Sequence, residues 1–238
     1  MLCKSQKEGL ISKLVELFKG IANTEIEEVV KAAKDKIIEI GNQVKESELV
    51  SLFNNQIQTL KDRGCPETIL NMLQEQRGSV VEKAKKVTFK EGRVPFLPVI
   101  PKLYLSIYTQ MAMVKYGSKS GYTYLDVTQL SDVADTSNKP YFVFDVEDGT
   151  EMLAKSPRDA EKLIKAQDNR RCLIDVEVIS LGIHTDVLSR HYVDASASRY
   201  ESDDVPGLYP FGDIPKLDWY RLGNSSPEWG SASCSSKN

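Results

Sequence analysis

The residues with reactive side chains in this 238-residue chain are two histidines, four cysteines and one acidic run. His184 and His191 are its only imidazoles. Seven residues apart on a helix, they share a face but stand about 10 Å apart along the axis. A single metal ion, with bonds of about 2 Å, needs them closer, as in the i, i+4 pairs of zinc helices. No metal site follows, and His184-Thr185-Asp186 reads equally well as a capped turn. A cysteine nucleophile requires a thiol, a histidine base and an orienting acid or amide. Cys172 or Cys234, with His184 or His191 and Asp186 or Asp194, supplies those types for hydrolysis or group transfer. Against this, the Ser-Ala-Ser-Cys-Ser-Ser context of Cys234 holds no cation to depress a thiol pKa. Idle cysteines are the plainer alternative.

Asp145-Val-Glu147-Asp148-Gly149-Thr-Glu151 has the residue types of a calcium loop but not its spacing. Thr150 stands where the sixth-position glycine belongs, and Ser156 where the twelfth-position glutamate belongs. A turn of solvated acids between a strand and a helix accounts for it. Gly117-Ser-Lys-Ser-Gly121 holds phosphate-loop residue types in the wrong order and precedes a strand, so a hairpin turn is expected. No Gly-x-Ser-x-Gly elbow is present for a serine nucleophile. Trp219, Tyr220 and Trp229 lie with Tyr200, Tyr209 and Phe211 among Pro, Gly and Asp residues. Such rings could form a sugar-, peptide- or base-binding platform, or they could be the buried anchor of irregular loops.

The elements that would position these groups differ between the two halves. All ten tyrosines and both tryptophans lie beyond residue 100. Residues 1–85 carry 13 basic and 13 acidic side chains, residues 86–120 carry 6 and 1, and residues 121–238 carry 12 and 20. The basic stretch is spread through apolar sequence, so its expected partner is the acidic back half. Nucleic acid is therefore not expected as a partner. No apolar run is long enough for a membrane span. The opening MLCKSQKEG is polar, and the cysteines form no CxxC pair. A cytoplasmic protein with free thiols is expected.

The front reads as three or four amphipathic helices. Ser5-x-x-Glu8 and Thr24-x-x-Glu27 have capping-box spacing. Leu10, Leu14, Leu17, Phe18 and Ile21 form one apolar stripe; Ile26, Val29, Val30, Ala33, Ile37, Ile40 and Val44 form a second. A third runs through Leu49, Leu52, Phe53, Ile57 and Leu60 and stops at Gly64, and Pro66 suits the first turn of a fourth. Further on, Val87-Thr88-Phe89 reads as a strand, and Pro95, Pro98 and Pro101 read as an extended polyproline II segment on the surface. Residues 103–116 fit either a strand pair or a helix. Residues 122–127 and 141–146 read as strands, Ser156-Pro157 opens a helix, and a second helix spans about Asp175 to Arg190.

Residues 141–149 (YFVFDVEDG), 156–164 (SPRDAEKLI), 184–193 (HTDVLSRHYV) and 215–234 (PKLDWYRLGNSSPEWGSASC) occur in that order. Over roughly 100–238 the chain resembles an uncharacterised prokaryotic family whose members end in a similar Pro-Lys-Leu…Trp…Trp-Gly-Ser-x-Ser-Cys tail. The resemblance implies no activity, cofactor or site residue; it implies that the C-terminal tail belongs to the fold.

The expected class is α+β: a helical region over 1–85, then a mixed domain over 86–238 with a small antiparallel or mixed sheet. The expected function is a non-enzymatic binding or interaction protein without a cofactor, whose N-terminal helices supply a protein partner or homo-oligomer surface. The alternatives are a hydrolase or transferase at His184, His191, Asp186, Cys172 or Cys234, and carbohydrate or peptide binding at Trp219, Tyr220 and Trp229.

Overall fold

Helix α1 runs from Asn23 to Asp62. A computed structural model of the protein describes residues 23–87, 90 and 92–236, with side chains from residue 28 onward. The Ser5–Glu8 pair, the Leu10–Ile21 stripe and the side chains of Thr24 and Glu27 lie outside the described set, as do Thr88 and Phe89. The stripes expected as two separate helices, Ile26–Val44 and Leu49–Leu60, form one 40-residue helix. Lys45-Glu46-Ser47-Glu48 contains no Gly or Pro to stop it. The five-residue step from Val44 to Leu49 breaks the three-and-four spacing of the apolar residues without interrupting the helix.

The chain divides into two compact units, Met1–Glu48 and Leu49–Asn238. In the first, Val29, Ile38, Ile40 and Val44 are exposed on α1. In the second, the last turns of α1 bury Leu49, Phe53, Ile57 and Leu60. The helix ends as expected at Gly64, with φ +85°. There Gly64 N–H donates to Lys61 O and Cys65 N–H to Leu60 O, both at 3.0 Å, the paired bonds of a glycine C-cap. Helix α2 (Glu67–Gln74) follows Pro66 and buries Ile69, Leu70 and Leu73; α3 (Arg77–Lys86) buries Val80, Val81 and Ala84.

The strands are β1 (Val94–Val99), β2 (Lys115–Tyr116), β3 (Lys119–Ser120), β4 (Tyr122–Thr123), β5 (Leu130–Asp132), β6 (Tyr141–Val146), β7 (Arg170–Cys172), β8 (Tyr192–Asp194), β9 (Ser198–Tyr200), β10 (Asp204–Phe211), β11 (Ile214–Arg221), β12 (Trp229–Ser231) and β13 (Ser233–Ser235). Among them lie α4 (Ile107–Met113), α5 (Pro157–Lys165) and α6 (Asp175–His184). The main sheet is mixed, in the order β12-β8-β10-β11-β4, with β9 on β10 and β5 on β9. Antiparallel pairs β1–β6, β2–β3 and β7–β13 stand beside it. The class is α+β, and the C-terminal tail is woven in through β12 on β8 and β13 on β7.

Pro95 and Pro98 do not form a surface polyproline turn; they lie in β1, which pairs on one side only. An edge strand tolerates proline because half of its amides are not needed by the ladder. The register from Val94↔Val146 to Phe96↔Phe144 sets Pro95 opposite Asp145, whose φ is +51°. Pro95 has no N–H to give, and the Asp145 carbonyl takes Arg170 Nη1 at 2.6 Å instead. On the other side of β1, alternate carbonyls receive side-chain donors. Gln56 Nε2 reaches Phe96 O at 2.8 Å, Ser180 Oγ reaches Pro98 O, and Gln110 Nε2 reaches Ile100 O at 3.0 Å.

Helix α6 is buried from Asp175 to Ile183, the pattern of a helix packed on all sides. Glu177 makes this tolerable: it accepts the Ile174 amide, the Tyr141 hydroxyl and both Nη atoms of Arg171, at 2.6 to 3.0 Å. A buried carboxylate stays folded in only when its lone pairs are taken this way. The second helix ends at His184, short of the expected Arg190, and a 3₁₀ turn (Val187–Ser189) follows.

Candidate functional site

Because α6 stops at His184, the two histidines stand on different elements and meet different neighbours. His184 lines an open cleft of about 480 Å³. The C-terminus of α1 contributes Thr59 and Arg63, the β2–β3 hairpin contributes Lys115, Tyr116 and Gly117, and the end of α6 contributes the histidine itself. The hairpin is the turn expected from Gly117-Ser-Lys-Ser-Gly121. Gly117, at φ +58°, takes the first turn position, where a positive φ favours glycine. The His184 ring is half-buried, and its Nε2 touches neither solvent nor a hydrogen-bond partner. Burial, helped by the Arg63 charge, pushes this imidazole down to about 3, so it is neutral near pH 7. Asp186 is not bonded to it; that exposed carboxylate pairs with Arg190 at 3.3 Å.

His191 lies in a polar knot instead. Its Nδ1 faces the Tyr192 carbonyl at 3.1 Å, and its Nε2 faces Thr150 Oγ1 at 3.1 Å and Asp148 Oδ1 at 3.5 Å. Burial opposes a charge on the ring, yet the bonds to Asp148 and Tyr192 outweigh it and raise the pKa. Burial likewise opposes the Asp148 carboxylate, but His191, Thr150 and Arg190 hold it below the usual range. The acid, hydroxyl and imidazole of a catalytic triad are thus near one another in the wrong order. A triad places the acid on one ring nitrogen and the nucleophile on the other. Here both face Nε2, and the Thr150 hydroxyl gives its proton to Asp148 at 2.6 Å. The arrangement fixes the loop and does not activate Thr150.

Except for the exposed Glu151, the acids of this loop are not solvated, contrary to expectation. Glu147 and Asp148 are buried, and Glu147 Oε1 accepts the amides of Gly149 and Glu151 at 3.1 and 2.8 Å. Asp145 is held by Arg93 and Arg170, each at 2.8 Å. Nearby, Gly149 meets Gly230 backbone to backbone.

Cys172 and Cys234 are buried on the paired strands β7 and β13, in the register Ser233↔Cys172 and Cys234↔Arg171. Burial pushes the Cys172 thiol up to about 12 and raises that of Cys234 further. No hydrogen bond joins either sulfur to a histidine among the described residues. Trp219 is exposed and stacks on Tyr200 at 6.2 Å, whereas Tyr220, its neighbour on β11, meets Trp229 at 4.6 Å. Adjacent strand residues point to opposite faces, so Trp219 and Trp229 do not line one groove.

Asp194 on β8 is fully buried and accepts the Tyr220 hydroxyl. Burial pushes its carboxyl from the ordinary 3.8 up to about 7. The folded protein therefore keeps a proton that the unfolded chain releases, and Asp194 costs increasing stability as pH rises from about 4 to about 7. Asp194→Asn keeps an acceptor for Tyr220 and removes the ionisation. Urea unfolding of both proteins at about pH 5 and about pH 8 should show the variant losing less stability between the two. Equal losses would mean that Asp194 is ionised in the fold at both values.

Arg63 and Lys115, the cations of the cleft, were not among the sequence candidates. The cleft joins residues around 60, 116 and 185, and nothing local marks them as neighbours. No family model, no curated protein and no solved structure matches this chain.

Proposed function

We propose that this is a non-enzymatic interaction protein, cytoplasmic, whose long N-terminal helix associates with a second copy of itself. The observation that carries the reading is the spacing of Val30, Ala33, Ile37, Ile40 and Val44 along one uninterrupted helix. The steps of three, four, three and four residues are those of a coiled-coil seam, with β-branched Val30, Ile37 and Val44 at equivalent positions. Ile40 and Val44 are 50% and 44% exposed, which favours a surface awaiting a partner. The buried free thiols suit a reducing compartment. The enzyme reading gains no comparable support, because neither thiol is bonded to a histidine.

Light scattering on the eluting protein tests this. The wild type should run as a dimer or larger, and Ile37→Glu with Ile40→Glu should run as a monomer with an unchanged melting transition for the Leu49–Asn238 unit. A wild type that stays monomeric at the highest attainable concentration overturns the reading.

A further inference from the structure

Arg63 stands apart from the other arginines. Every other one except the exposed Arg77 meets a carboxylate within 4.0 Å: Arg93, Arg158, Arg170, Arg171, Arg190 and Arg199 on their partners, and Arg221 on Asp204. Arg63 is half-buried and makes one side-chain hydrogen bond among the described residues, from Nη1 to the Met113 carbonyl at 2.8 Å. A guanidinium carries five N–H donors in a planar fork, so four remain. Lys115 likewise meets no carboxylate among the described residues; its Nζ donates to Ser120 Oγ and keeps two further protons. Both line the same cleft as the neutral His184. The one acid there, Asp186, is engaged by Arg190.

We propose that this cleft binds a small phosphate monoester, with Arg63 and Lys115 on the phosphate and Tyr116 against the organic part. A phosphate dianion matches the two uncompensated cations, and the planar fork of arginine suits its oxygens. The cleft is larger than an inorganic anion requires; about 300–1,000 Å³ is the usual size of a small-molecule site. The half-buried Tyr116 supplies an aromatic surface beside the charges.

With only two histidines, imidazole NMR signals report the cleft directly. Titration with inorganic phosphate and with phenyl phosphate, at constant ionic strength, should shift His184 saturably and leave His191 in place. Phenyl phosphate should bind the tighter. Arg63→Gln and Lys115→Gln should each weaken phenyl phosphate about tenfold, the scale of one lost charged hydrogen bond, while Arg77→Gln should not. Lys115 is exposed, so its variant carries the test if Arg63→Gln fails to fold. No saturable His184 shift, an equal response to sulfate or acetate, or binding unaffected in Lys115→Gln would each overturn the proposal. Phenyl phosphate binding no more tightly than phosphate would overturn the monoester assignment.

Discussion

Replacing Phe53 by alanine should lower the unfolding free energy by about 3–5 kcal/mol. The ring is 1% exposed at the point where α1 meets the β1–β6 pair. It stacks on Phe142 at 5.4 Å and lies 6.3 Å from Phe96, while Phe96 meets Phe142 edge-on at 6.0 Å. Truncation removes both the transfer energy of the ring and its packing against two aromatic neighbours, and the helix backbone cannot collapse into the gap. Domains hold only about 5–15 kcal/mol in total, so the variant should be partly unfolded at physiological temperature. Urea denaturation followed by circular dichroism measures it. Ile38→Ala, 61% exposed on the same helix, is the control and should change stability by less than about 0.5 kcal/mol. A Phe53→Ala cost no larger than that of the control would mean that this turn of α1 is not packed on the strands.

Gly230→Ala should be comparably severe for a different reason. A Cβ at Gly230 would lie 2.1 Å from the Gly149 carbonyl oxygen, and one at Gly149 would lie 2.8 Å from Gly230 O. Both obstacles are backbone, so no side chain can swing aside. The cost should reach at least about 3 kcal/mol, the upper end of overpacking. Relief would come by moving the 147–150 loop away from β12, which breaks the Thr150 and Asp148 contacts to His191. The His191 imidazole should therefore lose its raised pKa in the variant, an effect readable by NMR titration. Gly212→Ala places its Cβ in open space at φ +66° and should cost only about 1–2 kcal/mol. Equal melting temperatures for the two variants would show that the Gly149–Gly230 approach is looser than described.

The features legible in the sequence were those whose causes are local. Ser156-Pro157 announces α5, and Ser156 Oγ indeed accepts the Asp159 amide at 3.2 Å. Tyr141–Val146 is rich in β-branched and aromatic residues and is a strand over that whole range. Gly64 marks the end of α1 because only the chain immediately around it decides the cap. Features set by distant partners were read differently from how they fold. Pro95 and Pro98 read as polyproline because the side chains that make them acceptable in β1 come from residues 56, 170 and 180. Glu147 and Asp148 read as solvated because the arginine and histidine that meet Asp148, Arg190 and His191, lie in a segment the acidic run does not reveal. The α1 stripes read as two helices because a shift in apolar spacing leaves the same pattern in the sequence as a break in the backbone. At the cleft, His184 and Asp186 were visible by type alone. Arg63 became informative only when its lack of an acid partner could be seen beside eight other arginines.

The occupied outer side of β1 governs which associations this protein can make. An incoming peptide that tried to extend the β1–β6 ribbon would have to evict Gln56, Ser180 and Gln110 from their carbonyls and would meet no amide hydrogen at Pro98. The ribbon is thus barred from growing into a fibre by donors from its own helices, without any charged gatekeeper along the strand.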